Sequence, residues 1–162
     1  MNVDFKKCLF YTDFVIFHWK SDSHKPIRSD AERERAAAQV EFLQAAVAKI
    51  ANGKTSRRSD AFAGKIEVVL TEREDQIREY DALKRGELKL PKIERLDQIA
   101  GLIPKIRIAR GVSQTELGRR LGVSKQVISR YEESDYQSVG LGRLQEMLDV
   151  LEVKVGISLK TE

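Results

Sequence analysis

Between Ser29 and Gly53 the apolar residues keep helical time: Ala36, Val40, Leu43, Val47 and Ile50 follow at intervals of four, three, four and three, which places them on one stripe. "SDAE" before them has the form of a capping box, with Ser29 or Asp30 as N-cap and Glu32 three residues after Ser29, and Asn52-Gly53 supplies the stop. "NGKTSRRSD" reads as a loop. A second helix is predicted from about residue 60 to Gly86, with Phe62, Ile66, Val69, Ile77 and Tyr80 on its apolar side. Two helices of similar length joined by a short loop are expected to fold back as an antiparallel hairpin.

"ELKLPKI" breaks this pattern, with Pro91 marking a hinge or linker. Helical spacing resumes from about residue 94 to 110. Pro104 lies inside that stretch and restricts Leu102-Ile103 before it, so a kink or a break into two pieces is expected, with Gly111 as the stop. In "SQTELGRRLGVSKQVISRYE", residues 113 to 132, Ser113 with Glu116 is a second capping box opening a helix to about 121. Gly122-Val123-Ser124 is the turn, and Ser124 is the N-cap of the next helix. Leu117, Leu121, Val123, Ile128 and Tyr131 are the positions that close the two helices on each other. Gly118 stands in mid-helix, where glycine costs about 1 kcal/mol relative to alanine. A close crossing with no room for a side chain would offset that cost.

The chain closes on "EVKVGISLK", in which Val153, Val155, Ile157 and Leu159 alternate strictly. Period two predicts a short β-strand. A lone strand in a helical protein has an open edge, so pairing with the same strand of a second copy, in a symmetric homodimer, is the economical solution.

Charge sharpens the picture around the tight turn. The net charge is only +4, but residues 102 to 131 hold seven Lys or Arg against one acid, Glu116, whereas residues 132 to 162 hold three against seven acids. The positive field is local and coincides with the two-helix corner. The other candidate chemistry is thin. One cysteine, Cys8, excludes an intramolecular disulfide and a cysteine-rich zinc site. His18 and His24 are the only histidines, and no nucleophile elbow, phosphate-binding glycine loop or metal-ligand spacing occurs. No catalytic residue, metal ligand or cofactor is expected, and the chain reads as a non-enzyme. The carboxylates at 72, 74, 75 and 79 lie among Arg73 and Arg78 and read as a solvated helix face. The apolar run "CLFYTDFVIFHW" is interrupted by Asp13 and is too short for a span, so it is read as neither signal nor membrane anchor, and a cytoplasmic location is expected. Residues 1 to 27 carry six of the aromatics without a clean period. A packed strand or helix, a partner-binding segment and an upstream extension all remain open for them.

Two short helices about a tight turn are the sequence form of a helix-turn-helix. Residues 103 to 153, with "RIARGVSQTELGRRLGVSKQVISRYE" at their centre, resemble the XRE (Cro/CI-type) family of phage-repressor-like DNA-binding domains at glycine, apolar and capping positions together. The resemblance implies that Lys125, Gln126, Ser129 and Arg130 contact bases, and that Gln114, assisted by backbone N–H groups at the positive helix end, holds a phosphate, with Ser113 as a further phosphate contact. It further implies that Arg107 of the first helix pairs with Glu132 to order the fold. Arg143 is expected as a further phosphate contact. Gly118 and Gly122 are structural. Gly140, Gly142 and Glu152 depart from the family pattern around the last helix, so that helix is expected to start late and end differently. "REYDALKRGELKLP" also resembles the linker of bacterial XRE regulators with an N-terminal helical hairpin.

The expected fold is mainly α: a helical hairpin plus a C-terminal lambda-repressor-like helix-turn-helix bundle ending in a short β-strand. Its divisions are an N-terminal segment 1–27, hairpin 28–86, linker 87–93, DNA-binding domain 94–153 and strand 154–162. Two functions fit. One is a transcriptional regulator, a repressor in the simpler case, that binds double-stranded DNA at a palindromic operator as a dimer through residues 125–132. The other is an antitoxin that neutralises a cognate toxin through its N-terminal helices and represses its own operon.

Overall fold

The computed structural model describes residues 25–52, 57–137, 139–156 and 158. The aromatic segment 1–24, with Cys8, Asp13, His18 and His24, lies outside the described residues. The helices are α1 (Asp30–Ala51), α2 (Arg57–Lys84), α3 (Asp97–Ala100), α4 (Ile103–Ala109), α5 (Gln114–Arg120), α6 (Lys125–Glu133) and α7 (Leu141–Val150). The chain divides into two compact units after Glu79, within α2.

In the first unit, α1 buries Ala36, Val40 and Leu43 and leaves Val47 and Ile50 half-buried. The stripe is deepest at the helix centre. Ser29 caps α1 by accepting from the Glu32 amide at 3.3 Å, while Glu32 Oε2 accepts from the Arg28 amide at 2.7 Å, one residue before the position that closes a full capping box. On α2, Ile66 is buried as expected, and so is Arg73, whose Nη1 donates to Gln76 Oε1 at 2.7 Å. The carboxylate-rich stretch is therefore not wholly a solvated face. Gln44 Nε2 of α1 donates to Glu74 Oε1 of α2 at 3.1 Å. The turn of the expected hairpin, residues 53–56, lies outside the described residues.

In the second unit, α2 ends as Gly86 takes φ +80° and the Glu87 amide reaches back to the Ala82 carbonyl at 3.0 Å. In the stretch 94–110, where a kink or a break into two pieces is expected, there are two helices. Pro104 lacks the amide that a continuous helix needs, so it sits in the first turn of α4, and Gly101-Leu102 separates α3 from α4. One apolar core joins Ile99, Ile103 and Ile106 to Val112, Leu117, Ile128 and Tyr136, and to Leu144, Met147, Leu148 and Leu151. Every helix from α3 to α7 contributes to it.

Two departures concern the chain's end. The predicted strand is not formed at the described residues 153–156 and 158. Alternation fixes which side chains share a face, but a strand exists only with a hydrogen-bonding neighbour, and no described segment of this chain supplies one. The last helix begins at once, Leu141 following Gly140 as N-cap, and it ends with glycine-like geometry although no glycine is present. Glu152 takes φ +56°, with the Val153 amide on the Leu148 carbonyl at 2.9 Å. A side chain in the left-handed region costs roughly 1 kcal/mol relative to glycine. Glu152 also pairs with Arg110 at 3.8 Å, but both are exposed, and such pairs contribute little. Glu152→Gly is therefore expected to stabilise the unit by about 0.5–1 kcal/mol in urea unfolding; an unchanged or lower midpoint would contradict this account of the cap.

Candidate nucleic-acid interface

α5 and α6 meet through the turn Leu121–Ser124, and the geometry of that turn explains two glycines. Gly122 has φ +68°. Gly118 lies beneath the turn: a Cβ there would stand 2.7 Å from the Val123 carbonyl oxygen and 3.3 Å from the Ser124 carbonyl carbon. The Gly118 carbonyl accepts from the Val123 amide at 2.9 Å, so the close approach is fixed by a hydrogen bond. The obstacle is backbone, which can yield only by displacing the start of α6. Gly118→Ala is expected to destabilise the unit by about 1–3 kcal/mol, despite the better helix propensity of alanine. A denaturation midpoint at or above that of the native chain would refute this.

Beneath the corner is a buried polar cluster. Glu132 is fully buried, and its carboxylate accepts from Arg107 Nε at 2.7 Å, Arg107 Nη2 at 3.0 Å and Gln114 Nε2 at 2.7 Å. Arg107 Nη1 donates to the Val112 carbonyl at 2.9 Å. The two-pronged guanidinium contact is the strong form of such a bond. One carboxylate thus joins α4, the first residue of α5 and the end of α6. Gln114 is buried, and its amide nitrogen is engaged by Glu132. Nothing in the sequence marked Gln114 as a third member of this cluster, because its partner lies 18 residues away.

Ser113 caps α5, its Oγ accepting from the Glu116 amide at 3.1 Å. The Glu116 carboxylate does not close the capping box. It accepts from Arg119 at 2.8 and 2.9 Å and from Arg120 at 2.7 Å, and these two guanidiniums hold its carboxyl at about 2. Ser124 has N-cap backbone geometry without a side-chain cap bond. Arg143 is half-buried; its Nη1 lies 2.5 Å from Glu146 Oε2 and 3.4 Å from the Leu121 carbonyl, which ties α7 to the end of α5.

Much of the positive charge around the corner is therefore engaged internally. Arg107 serves Glu132, Arg119 and Arg120 share Glu116, and Arg110 faces Glu152. Helix α6 is different. It buries Ile128 and Glu132 against the core and turns Lys125, Gln126 and Arg130 to solvent, where their side chains make no hydrogen bond or ion pair among the described residues. Ser129, half-buried, donates to Glu133 Oε1 at 3.2 Å. Lys125, Gln126 and Arg130 thus fall on neighbouring exposed positions of one helix beside the half-buried Ser129, with donors on those three that match the acceptors of base edges and phosphates in a major groove.

No helix among the described residues is long and apolar enough to cross a membrane. A family model described as Helix-turn-helix matches residues 103–157, about a third of the chain. Nothing matches the chain among the curated proteins or among the solved structures. The match opens at α4 and runs past α7, so it takes in the buried cluster, the Gly118 crossing and α6 together. The match to residues 103–157 supports an XRE-type helix-turn-helix, a DNA-binding domain, in this part of the chain.

Proposed function

We propose that the chain is a sequence-specific repressor that binds a palindromic operator as a homodimer, with α6 in the major groove. The observation that carries this reading is the contrast on α6 itself. Its inner face is fixed by a buried three-residue cluster, and its outer face presents Lys125, Gln126 and Arg130 with no internal partner among the described residues. Rigid support beneath uncommitted donors is what base reading requires. Lys125 and Arg130 suit guanine O6 and N7, and Gln126 suits adenine N6 and N7. Ser113 and the main chain at Gln114 take a phosphate, with Arg143 at the flank. Occlusion of a promoter needs only tight binding, which makes repression the simplest mode.

An apolar surface in the C-terminal unit supports the second copy. Leu90, Ile93, Leu96 and Val155 are exposed apolar residues around a groove of about 480 Å³, lined also by Ile99, Leu102 and Val153. A second copy seated on these exposed apolar residues would cover this groove. Two recognition helices related by a two-fold read two half-sites about 34 Å, one helical turn, apart. Selection from a random duplex library should return an inverted repeat with that spacing. A single unrepeated half-site would remove the dimer, and no enriched sequence would remove the reader.

A second reading, an antitoxin, is favoured by one feature of the first unit. Phe42 on α1 and Val68 on α2 are 56% and 60% exposed. If α1 and α2 form a hairpin that holds a toxin, Phe42→Asp with Val68→Asp abolishes protection against that toxin and leaves operator affinity unchanged.

A further inference from the structure

The face of α6 that carries the base readers also carries an acid. At about 100° per residue, Glu133 falls about 20° from Gln126 and about 40° from Ser129, inside the arc that these two and Arg130 span. Glu133 is exposed and accepts the Ser129 Oγ proton at 3.2 Å. A carboxylate on a surface meant for a polyanion weakens binding through repulsion. Its place there has to be offset by something other than affinity.

The hydroxyl chemistry supplies the offset. A serine hydroxyl has one proton to donate and two lone pairs to accept with. With that proton directed to Glu133, Ser129 Oγ has only its lone pairs to offer, as an acceptor. Major-groove edges donate only at adenine N6 and cytosine N4, whereas guanine offers N7 and O6 and thymine offers O4 as acceptors. Resting on the regulator reading above, we propose that Glu133 is a positioning residue for specificity: it sets Ser129 to accept from adenine N6 or cytosine N4 and to reject guanine and thymine. Without Glu133, the same hydroxyl can donate or accept, and it discriminates poorly.

Site selection is run with the full chain in four forms: native, Ser129→Ala, Glu133→Ala and the double variant. In the native site, one position of each half-site favours adenine or cytosine about tenfold over guanine and thymine. Each single variant flattens that same position to less than about threefold and leaves the other positions unaltered, and the double variant matches Ser129→Ala. A Glu133→Ala profile identical to the native one overturns the proposal. So does flattening at a position that Ser129→Ala leaves intact, because Glu133 then reads a base of its own. If the native chain enriches no sequence, the regulator reading and this one fall together. An enriched site with an indifferent Glu133→Ala variant removes only this one.

Discussion

Replacing Glu132 with alanine is expected to lower the stability of the C-terminal unit by about 3–5 kcal/mol, the cost of leaving a buried charge without its partner. Arg107 is 3% exposed, so solvent cannot replace the lost carboxylate, and the Gln114 amide loses its acceptor at the same stroke. For a unit of this size each kcal/mol moves the melting temperature by about 4–8 °C, so the loss is visible in a single thermal scan. The pair's value is conditional on its being complete. Arg107→Met combined with Glu132→Leu removes both charges and should recover part of the loss, because an apolar pair of similar volume often serves as well as a buried ion pair. Recovery stays incomplete, since the Val112 carbonyl and Gln114 still lose their partner. A melting curve for Glu132→Ala that overlays the native one would show that the cluster does not order the fold.

What could be read from the sequence was what depends on neighbours a few residues apart. Helical spacing located α1 and α2, Gly122 located the turn, and the misplaced Gly118 signalled a close crossing, whose obstacle is the carbonyl of Val123. What escaped depends on partners distant in sequence or on choices between equivalent partners. Gln114 joins Glu132 from 18 residues away. Glu116 had two uses within reach and took the arginines rather than the Ser113 amide. Arg73 looked like one more charge on a charged helix, yet it is buried. Glu152 shows the converse: the helix end keeps a left-handed residue although the sequence offers no glycine, because packing of Leu148 and Leu151 in the core outweighs a local cost of about 1 kcal/mol. The terminal alternation describes a strand only in the presence of an edge to pair with.

Lys125→Ala combined with Gln126→Ala is expected to weaken operator binding by about 2–4 kcal/mol, roughly 30- to 1,000-fold. Both residues are exposed at the start of α6 and bear on no core contact, so the folded unit should melt as the native chain does. The distinction from a merely electrostatic effect lies in salt and sequence. Removing one cation lowers the salt slope by about one counterion and weakens binding to every duplex alike. Losing base readout weakens binding to the operator alone.

The most direct test is therefore the ratio of dissociation constants for the selected operator and for a scrambled duplex of equal length, measured for both proteins at one near-physiological salt concentration. The native chain should prefer the operator by about 10³-fold or more, and the double variant should lose most of that preference while its affinity for scrambled DNA falls only by the share of the one lost cation. A native chain that binds both duplexes equally, or a double variant that keeps the full preference, would contradict the assignment of α6 as the base-reading helix.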